Sequence, residues 1–415
     1  MTLAFSQYIK MIERLAVSGQ RLVLSPDAKT AEAVRAYNAT KQPELPHVSM
    51  IPIIENALKK FANKTAFKDS RRSITFQELD IYSEVVKNAI LAEYPAGSHI
   101  AIKGNRSIST VIYIVGVIRA GCVYIPIHPD YPADRVSYIC DACACGLYFD
   151  CDFFDGKLYG APVSAHEGTA PVAEDSSAYI IYTSGSTGLP KGVEITHGQL
   201  CNTIFDMNAR LGLESDDVLL NVSAFSFDLS VFDVFSGITS GACVYIADDA
   251  RDIRTLKSVL HAEQVTILNG VPSVVQLITE QSEEETYRSL RYVLMSGDFI
   301  PLTLPEALAK ICPNAELLSL GGATEATIWS IAYPIDASVR YSESIPYGYP
   351  LANQTCYVLD KNLQLCPAGV KGTIFIGGRG VAKGYHRDDE RTRAAFIQHH
   401  QYGRLYNTGD LGVFT

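Results

Sequence analysis

The sequence predicts an α/β fold of stacked layers, and three observations predict it. From residue 49 to about 340, amphipathic helical segments alternate with short β-branched and aromatic runs, the pattern of helices covering sheets. After Ile345 the runs shorten and Gly, Pro and Asn punctuate them, which predicts a small β-barrel-like part over residues 341–415. With 415 residues the chain is too long for one core, so two or three packed units are expected.

Composition narrows the function classes. A hydrophobic content of 47% with 19% charged residues is that of a globular protein, and a net charge of −10 without a basic block argues against a nucleic-acid groove. The longest apolar run, Val111 to Ile118, stops at Arg119 and is too short to span a bilayer, so no membrane partner and a soluble, cytoplasmic chain are expected. Ten cysteines lie scattered without a framework, as reduced thiols do. Cys140, Cys143, Cys145 and Cys151 cluster, but their spacing lacks the paired knuckles of a zinc site, and small buried hydrophobes describe them better.

In chain order, residues 1–48 open with an amphipathic helix whose Lys10, Glu13 and Arg14 exclude a signal peptide. A Pro- and Ala-bearing connector from Ala39 to Pro46 follows. Ile51, Ile54, Leu58 and Phe61 recur at helical spacing. Ser73-Ile74-Thr75-Phe76-Gln77-Glu78-Leu79 reads as a strand passing into a capped helix. Residues 108–127 run as an apolar helix into a buried strand. Tyr179 to Tyr182 is another buried strand, and it breaks into Thr183, Ser184, Gly185, Ser186, Thr187 and Gly188, then Pro190-Lys191-Gly192. Glycines let backbone N–H groups close on an anion, hydroxyls add donors, and a lysine adds charge: this is a phosphate grip. It differs from the Walker pattern, because Lys191 follows a proline and no Ser or Thr comes after it. Asp228 stands alone among apolar neighbours where a helix begins, a position that ordinarily caps.

The stretch 179–192 resembles the nucleotide loop of the adenylate-forming superfamily, specifically an adenylation domain of a nonribosomal peptide synthetase. Further motifs in family order over residues 73–412 carry the resemblance: Gly321-Gly322-Ala323-Thr324-Glu325, Gly372 to Gly378 with Val381 to Tyr385, and Tyr406 to Leu411. The resemblance implies an N-terminal core of two stacked α/β subdomains with mixed sheets flanked by helices, plus a small β-barrel. It implies activation of an amino acid by ATP to aminoacyl-AMP and pyrophosphate. The loop and Lys191 would hold the phosphates, Thr183 and Glu325 a Mg²⁺ ion, and Asp410 the ribose hydroxyls. Two departures stand out: Gly321 replaces the tyrosine usually beside the adenine, and Ala323 replaces a proline. Residues 1–48 resemble the linker from an upstream condensation or cyclisation domain. Past Thr415 the family continues into a smaller subdomain bearing a catalytic lysine, so the resemblance implies the large core alone, weakened or inactive in turnover.

Carried over residue by residue, the amino-acid pocket consists of Asp228, Leu229, Phe232, Asn269, Leu294, Ser296, Leu320, Ile328 and Trp329. Asp228 would pair with the substrate α-ammonium. The set resembles cysteine-activating members: bulky Phe232 and Trp329 leave room for a short side chain, and apolar walls suit a thiol. Serine, threonine and alanine stay open, since one methyl or heteroatom discriminates by only about 1–3 kcal/mol in an apolar pocket. Implied partners are a peptidyl carrier domain with its phosphopantetheine, the upstream condensation or cyclisation domain, and a small MbtH-like protein. An acyl- or aryl-CoA ligase, and a binding or docking module without turnover, are the rival readings.

Overall fold

The structure is a computed structural model and describes residues 28–42, 48–150, 172–184, 189–281 and 285–415. The amphipathic segment expected over residues 1–15, Cys151 and loop residues Gly185, Ser186, Thr187 and Gly188 lie outside them.

Strands β1 (Thr65–Lys68) and β2 (Ser73–Thr75) precede β3 (His99–Lys103), β4 (Val123–Ile127), β5 (Leu147–Asp150), β6 (Ser177–Thr183) and β7 (Lys191–Thr196). Then come β8 (Val218–Asn221), β9 (Cys243–Ile246), β10 (Ile267–Gly270), β11 (Tyr292–Ser296), β12 (Glu316–Gly321), β13 (Ile331–Ile335) and β14 (Tyr349–Pro350). Strands β15 (Gln354–Leu359), β16 (Lys371–Gly378), β17 (Gly384–Tyr385), β18 (Phe396–His399) and β19 (Gly403–Val413) complete the order. They form two mixed sheets and one antiparallel sheet. The nine-stranded sheet runs β14-β13-β12-β11-β10-β8-β9-β1-β2, and the six-stranded one runs β17-β7-β6-β4-β3-β5.

Local chemistry starts the helices where the sequence predicts. Thr75 and Glu78 close a capping box on the helix Phe76–Leu91. The helix Ile108–Arg119 is buried at every position, its apolar run Val111–Ile118 included, and carries Ser109, Thr110 and Arg119 inside with it. Its terminal Arg119, 3% exposed, is held by Glu55, Asp80 and Glu84, so its charge is matched where it is desolvated. One large core joins residues of both mixed sheets, from Phe67 and Tyr124 to Phe232 and Trp329. A second core, with Leu268, Val293 and Met295, covers another part of the nine-stranded sheet.

The small β part is not a closed barrel. Four strands in the order β15-β16-β19-β18 make an open antiparallel sheet. The free edge of β15 is already occupied: Asn38 Oδ1 accepts from the Cys356 N–H at 2.7 Å while its Nδ2 donates to the Cys356 carbonyl at 3.0 Å. Thr40 adds bonds to Gln354 and Asn353. An asparagine side chain thus imitates a neighbouring strand, leaving β18 nothing to close onto. The helix Ala28–Tyr37, ahead of Asn38, packs Val34 into the core of this same sheet. Residues after 340 are also shared out, since β14 extends the nine-stranded sheet and β17 the six-stranded one.

Cys140 and Cys143 sit on the helix Ala133–Cys143, with Cys143 buried. Among the described residues no group of His, Cys, Asp or Glu could hold a metal by itself, and no helix is long and apolar enough to cross a membrane.

Candidate active site

The site lies where β6, β7, β12 and the segment after β12 converge. Thr183 ends β6 opposite Lys191, which begins β7. This antiparallel register fixes both ends of the 184–190 loop. Lys191 Nζ donates to Glu325 Oε1 at 2.5 Å and to the Tyr385 hydroxyl at 2.9 Å. The Tyr385 hydroxyl in turn donates to Glu325 Oε1 at 2.8 Å. Burial works to lower the Lys191 pKa, but the bonds to Glu325 and Tyr385 outweigh it and the net shift is upward. Glu325, on the 3₁₀ turn Thr324–Ala326, is buried. Thr183 Oγ1 is buried and has no hydrogen-bond partner among the described residues. Thr183 faces Lys191 across the β6–β7 ladder, and an unpartnered hydroxyl there, with the Glu325 carboxylate that Lys191 holds, suits oxygen ligation of a hard cation.

Asp228 occupies the N-cap of the helix Leu229–Ser240, yet its side chain makes no capping bond. Its Oδ2 accepts from Thr324 Oγ1 at 2.7 Å. Burial, offset in part by the Thr324 bond and reinforced by the Glu325 charge, pushes its pKa up to about 6. No lysine, arginine or histidine pairs with it among the described residues, so its charge is unmatched by any described side chain.

A cleft of about 470 Å³ opens beside this carboxylate. Of the sequence-predicted residues it is lined by Asp228, Leu229, Ser296, Leu320, Gly321, Gly322, Ala323, Thr324, Ile328, Trp329 and Asp410. Trp329 Nε1 donates to Ser296 Oγ at 3.0 Å, which ties two wall residues together. Gly322 has to be glycine, because a Cβ there would fall 2.8 Å from Trp329 Cα and 2.9 Å from the Ser330 nitrogen. Thr327 and Ile328 both adopt positive φ, 59° and 67°, an unfavourable conformation for non-glycine residues and worst for a β-branched one. Bonds between Thr327 Oγ1 and the Gly380 carbonyl, and between Thr203 Oγ1 and the Thr327 carbonyl, hold this strained turn.

Three expected pocket residues stand behind the wall instead of on it. Phe232 is fully buried against Trp329, with ring centroids 4.8 Å apart, and Leu294 is fully buried on β11. Asn269 gives its amide to Asp233 Oδ1 at 2.9 Å and to the Leu229 carbonyl at 3.2 Å. Asp233, inside the otherwise apolar helix Leu229–Ser240, also accepts from Asn221 Nδ2 at 2.8 Å. Burial pushes its pKa up to about 7, against the two amide bonds. Other cleft residues missed from sequence are Phe227, Asp298, Phe299, Ile345 and Tyr347. Phe227 adjoins Asp228 in the chain, and the others come from two segments, one after β11 and one before β14, that no motif marks.

With this geometry in view, similarities to known proteins become informative. Residues 54–386 match the AMP-binding enzyme family. Bacitracin synthase 1 of Bacillus licheniformis is 41% identical over 99% of this chain, which spans 8% of that protein. Pyochelin synthetase PchF of Pseudomonas aeruginosa is 35% identical over 93% of this chain, which spans 23% of it. The chain therefore spans less than a quarter of these relatives. The crystal structure of the nonribosomal peptide synthetase FmoA3 (S1046A) in its alpha-methyl-L-serine-AMP bound form superposes with a TM-score of 0.86 at 26% identity, covering 99% of this chain and 49% of that one. The match takes in the 184–190 loop, the Glu325 turn and the cleft residues up to Tyr347: this chain belongs to the AMP-binding enzyme family.

Proposed function

We propose that this chain activates L-cysteine with ATP, forming cysteinyl-AMP and pyrophosphate for transfer to the phosphopantetheine of a peptidyl carrier domain. The observation that carries the amino-acid reading is Asp228: a buried carboxylate on the cleft wall with no cationic side chain paired to it among the described residues. An α-ammonium supplies the missing charge, whereas a fatty or aryl acid would leave that carboxylate desolvated and unmatched. The cysteine reading rests on the apolar wall of Leu229, Leu320, Ile328 and Trp329, with Ser296 as a mild polar group already engaged by the indole. That surface suits a small, soft thiol.

In this reading the amino-acid carboxylate attacks the α-phosphorus of ATP, the new P–O bond forms, and the bond to the β-phosphate oxygen breaks to release pyrophosphate. The attacking carboxylate is already ionised, so no general base is needed, and positioning with charge neutralisation does the work. Lys191 leaves Glu325 to meet the phosphates, Asp410 accepts from the ribose hydroxyls, and Asp228 orients the amino end. Thr183 and Glu325 would hold Mg²⁺, which when bound offsets triphosphate charge. A carrier domain, an upstream condensation or cyclisation domain and an MbtH-like protein are the partners this reading entails.

The test is a calorimetric and thermal-shift titration of the chain with ATP–Mg²⁺ and a panel of carboxylic acids. L-Cysteine with nucleotide should stabilise the protein most. A preference for acids lacking an α-amine would refute the role of Asp228, and a preference for another amino acid would refute cysteine alone.

A further inference from the structure

We propose that Tyr347 is the platform on which the adenine base stacks, and that residue 321 is glycine because the Tyr347 ring fills its side-chain space. The proposal rests on the nucleotide reading above and deepens it.

The steric observation comes first. A Cβ built on Gly321 would stand 2.1 Å from Tyr347 Cε2, 2.5 Å from Cζ and 2.8 Å from Cδ2. No side chain fits there while the ring stays in place. Tyr347 is 38% exposed and lines the cleft with Asp410, Ile345 and Gly321 to Ala323. A partly exposed aromatic face beside a carboxylate suits a nucleoside, whose base stacks while its ribose hydroxyls donate. Burial, then the neighbouring Cys356 and Asp410, raises the pKa of the phenol, so the ring meets its ligand neutral.

The turn that presents Tyr347 is built, not incidental. Gly348 has φ 116°, and a Cβ on it would lie 2.3 Å from the Ala332 carbonyl oxygen, so only glycine lets the chain press against β13 here. The Gly348 carbonyl accepts from the Tyr37 hydroxyl at 2.8 Å. The Tyr37 ring packs in turn on Tyr349 and Phe414. The helix Ala28–Tyr37 therefore buttresses the segment carrying the platform.

AMP titration by calorimetry, on the chain and three variants, tests this. Tyr347→Ala should weaken AMP binding by about 10- to 100-fold, the range that alanine substitution of a base-stacking aromatic produces. Tyr347→Phe should retain affinity, and Gly321→Tyr in the Tyr347→Ala background should recover much of it by refilling the vacated space from the other side. If Tyr347→Ala unfolds, Tyr347→Leu replaces it, keeping bulk without a π face. Wild-type affinity in the Ala or Leu variant would overturn the proposal, as would a loss in Tyr347→Phe equal to that in Tyr347→Ala. Failure of the wild-type chain to bind AMP would instead overturn the nucleotide reading, and this inference with it.

Discussion

Lys191 and Glu325, 134 residues apart, meet at 2.5 Å and lock the end of the phosphate loop to the turn after β12. The lysine side chain is 21% exposed and the glutamate 6%. Without a ligand each neutralises the other; with a triphosphate present the lysine has a second anion to answer. Lys191→Met should therefore weaken ATP binding far more than AMP binding, since AMP lacks the β- and γ-phosphates. It should also cost about 1–3 kcal/mol of stability, the buried-pair value reduced for the partly exposed lysine. Parallel titrations with ATP and AMP, plus urea denaturation, check both effects. Equal losses for the two nucleotides would show that Lys191 holds only the fold.

Asp228 should behave as a charge that the substrate completes. Asp228→Asn is expected to lower amino-acid affinity by about 30-fold or more, the lower end of what truncating one partner of a buried charge pair costs. AMP binding should hardly change. Calorimetry with each ligand alone separates the two.

The same carboxylate predicts a pH dependence. With its pKa raised to about 6 in the unliganded protein, Asp228 is ionised above that pH and increasingly neutral below it. The amino-acid ammonium stays charged throughout. Affinity should thus be flat above pH 6 and fall as pH drops through 6, with Asp228→Asn showing no such fall. A wild-type affinity unchanged between pH 5 and 8 would contradict the pairing.

Asp233 carries a stability signature. Its folded pKa of about 7 lies above the ordinary carboxylate value, so between about pH 4 and 7 the folded chain keeps a proton that the unfolded chain releases. Stability from this group falls as pH rises through that window, by up to about 1.4 kcal/mol per unit. His197, lowered to about 4 by burial, acts with opposite sign below pH 6.5. The difference between wild type and Asp233→Asn isolates the aspartate: the variant's relative stability should climb from pH 4 to 7. Denaturation midpoints across that range measure it.

Asn38 should matter as a strand edge. Asn38→Ala removes the paired bonds to Cys356 and should cost about 1–2 kcal/mol. Hydrogen exchange at the Cys356 amide should speed up, while β10 and β11 stay protected. Unchanged exchange at Cys356 would mean that the edge is covered without the asparagine.

Much of the architecture was legible because it is written locally. The apolar run Tyr179–Tyr182 followed by hydroxyls and glycines, the strand-to-helix step at Ser73–Leu79 and the apolar run Val111–Ile118 each announce their element within a few residues. Family motifs likewise drew Thr183, Lys191, Asp228, Glu325 and Asp410 from the chain without coordinates. Tertiary structure alone decided the rest. That Asn269 spends its amide on Asp233, that Phe232 and Leu294 stand behind the wall, that Asn38 seals β15 and so leaves the sheet open, and that Tyr347 lies over Gly321 all depend on which strands neighbour which. Sheet order brings together residues tens to hundreds of positions apart, and burial then sets their pKa values and partners. Local periodicity carries no record of either, because it reports which face of an element is apolar and not what that face will meet.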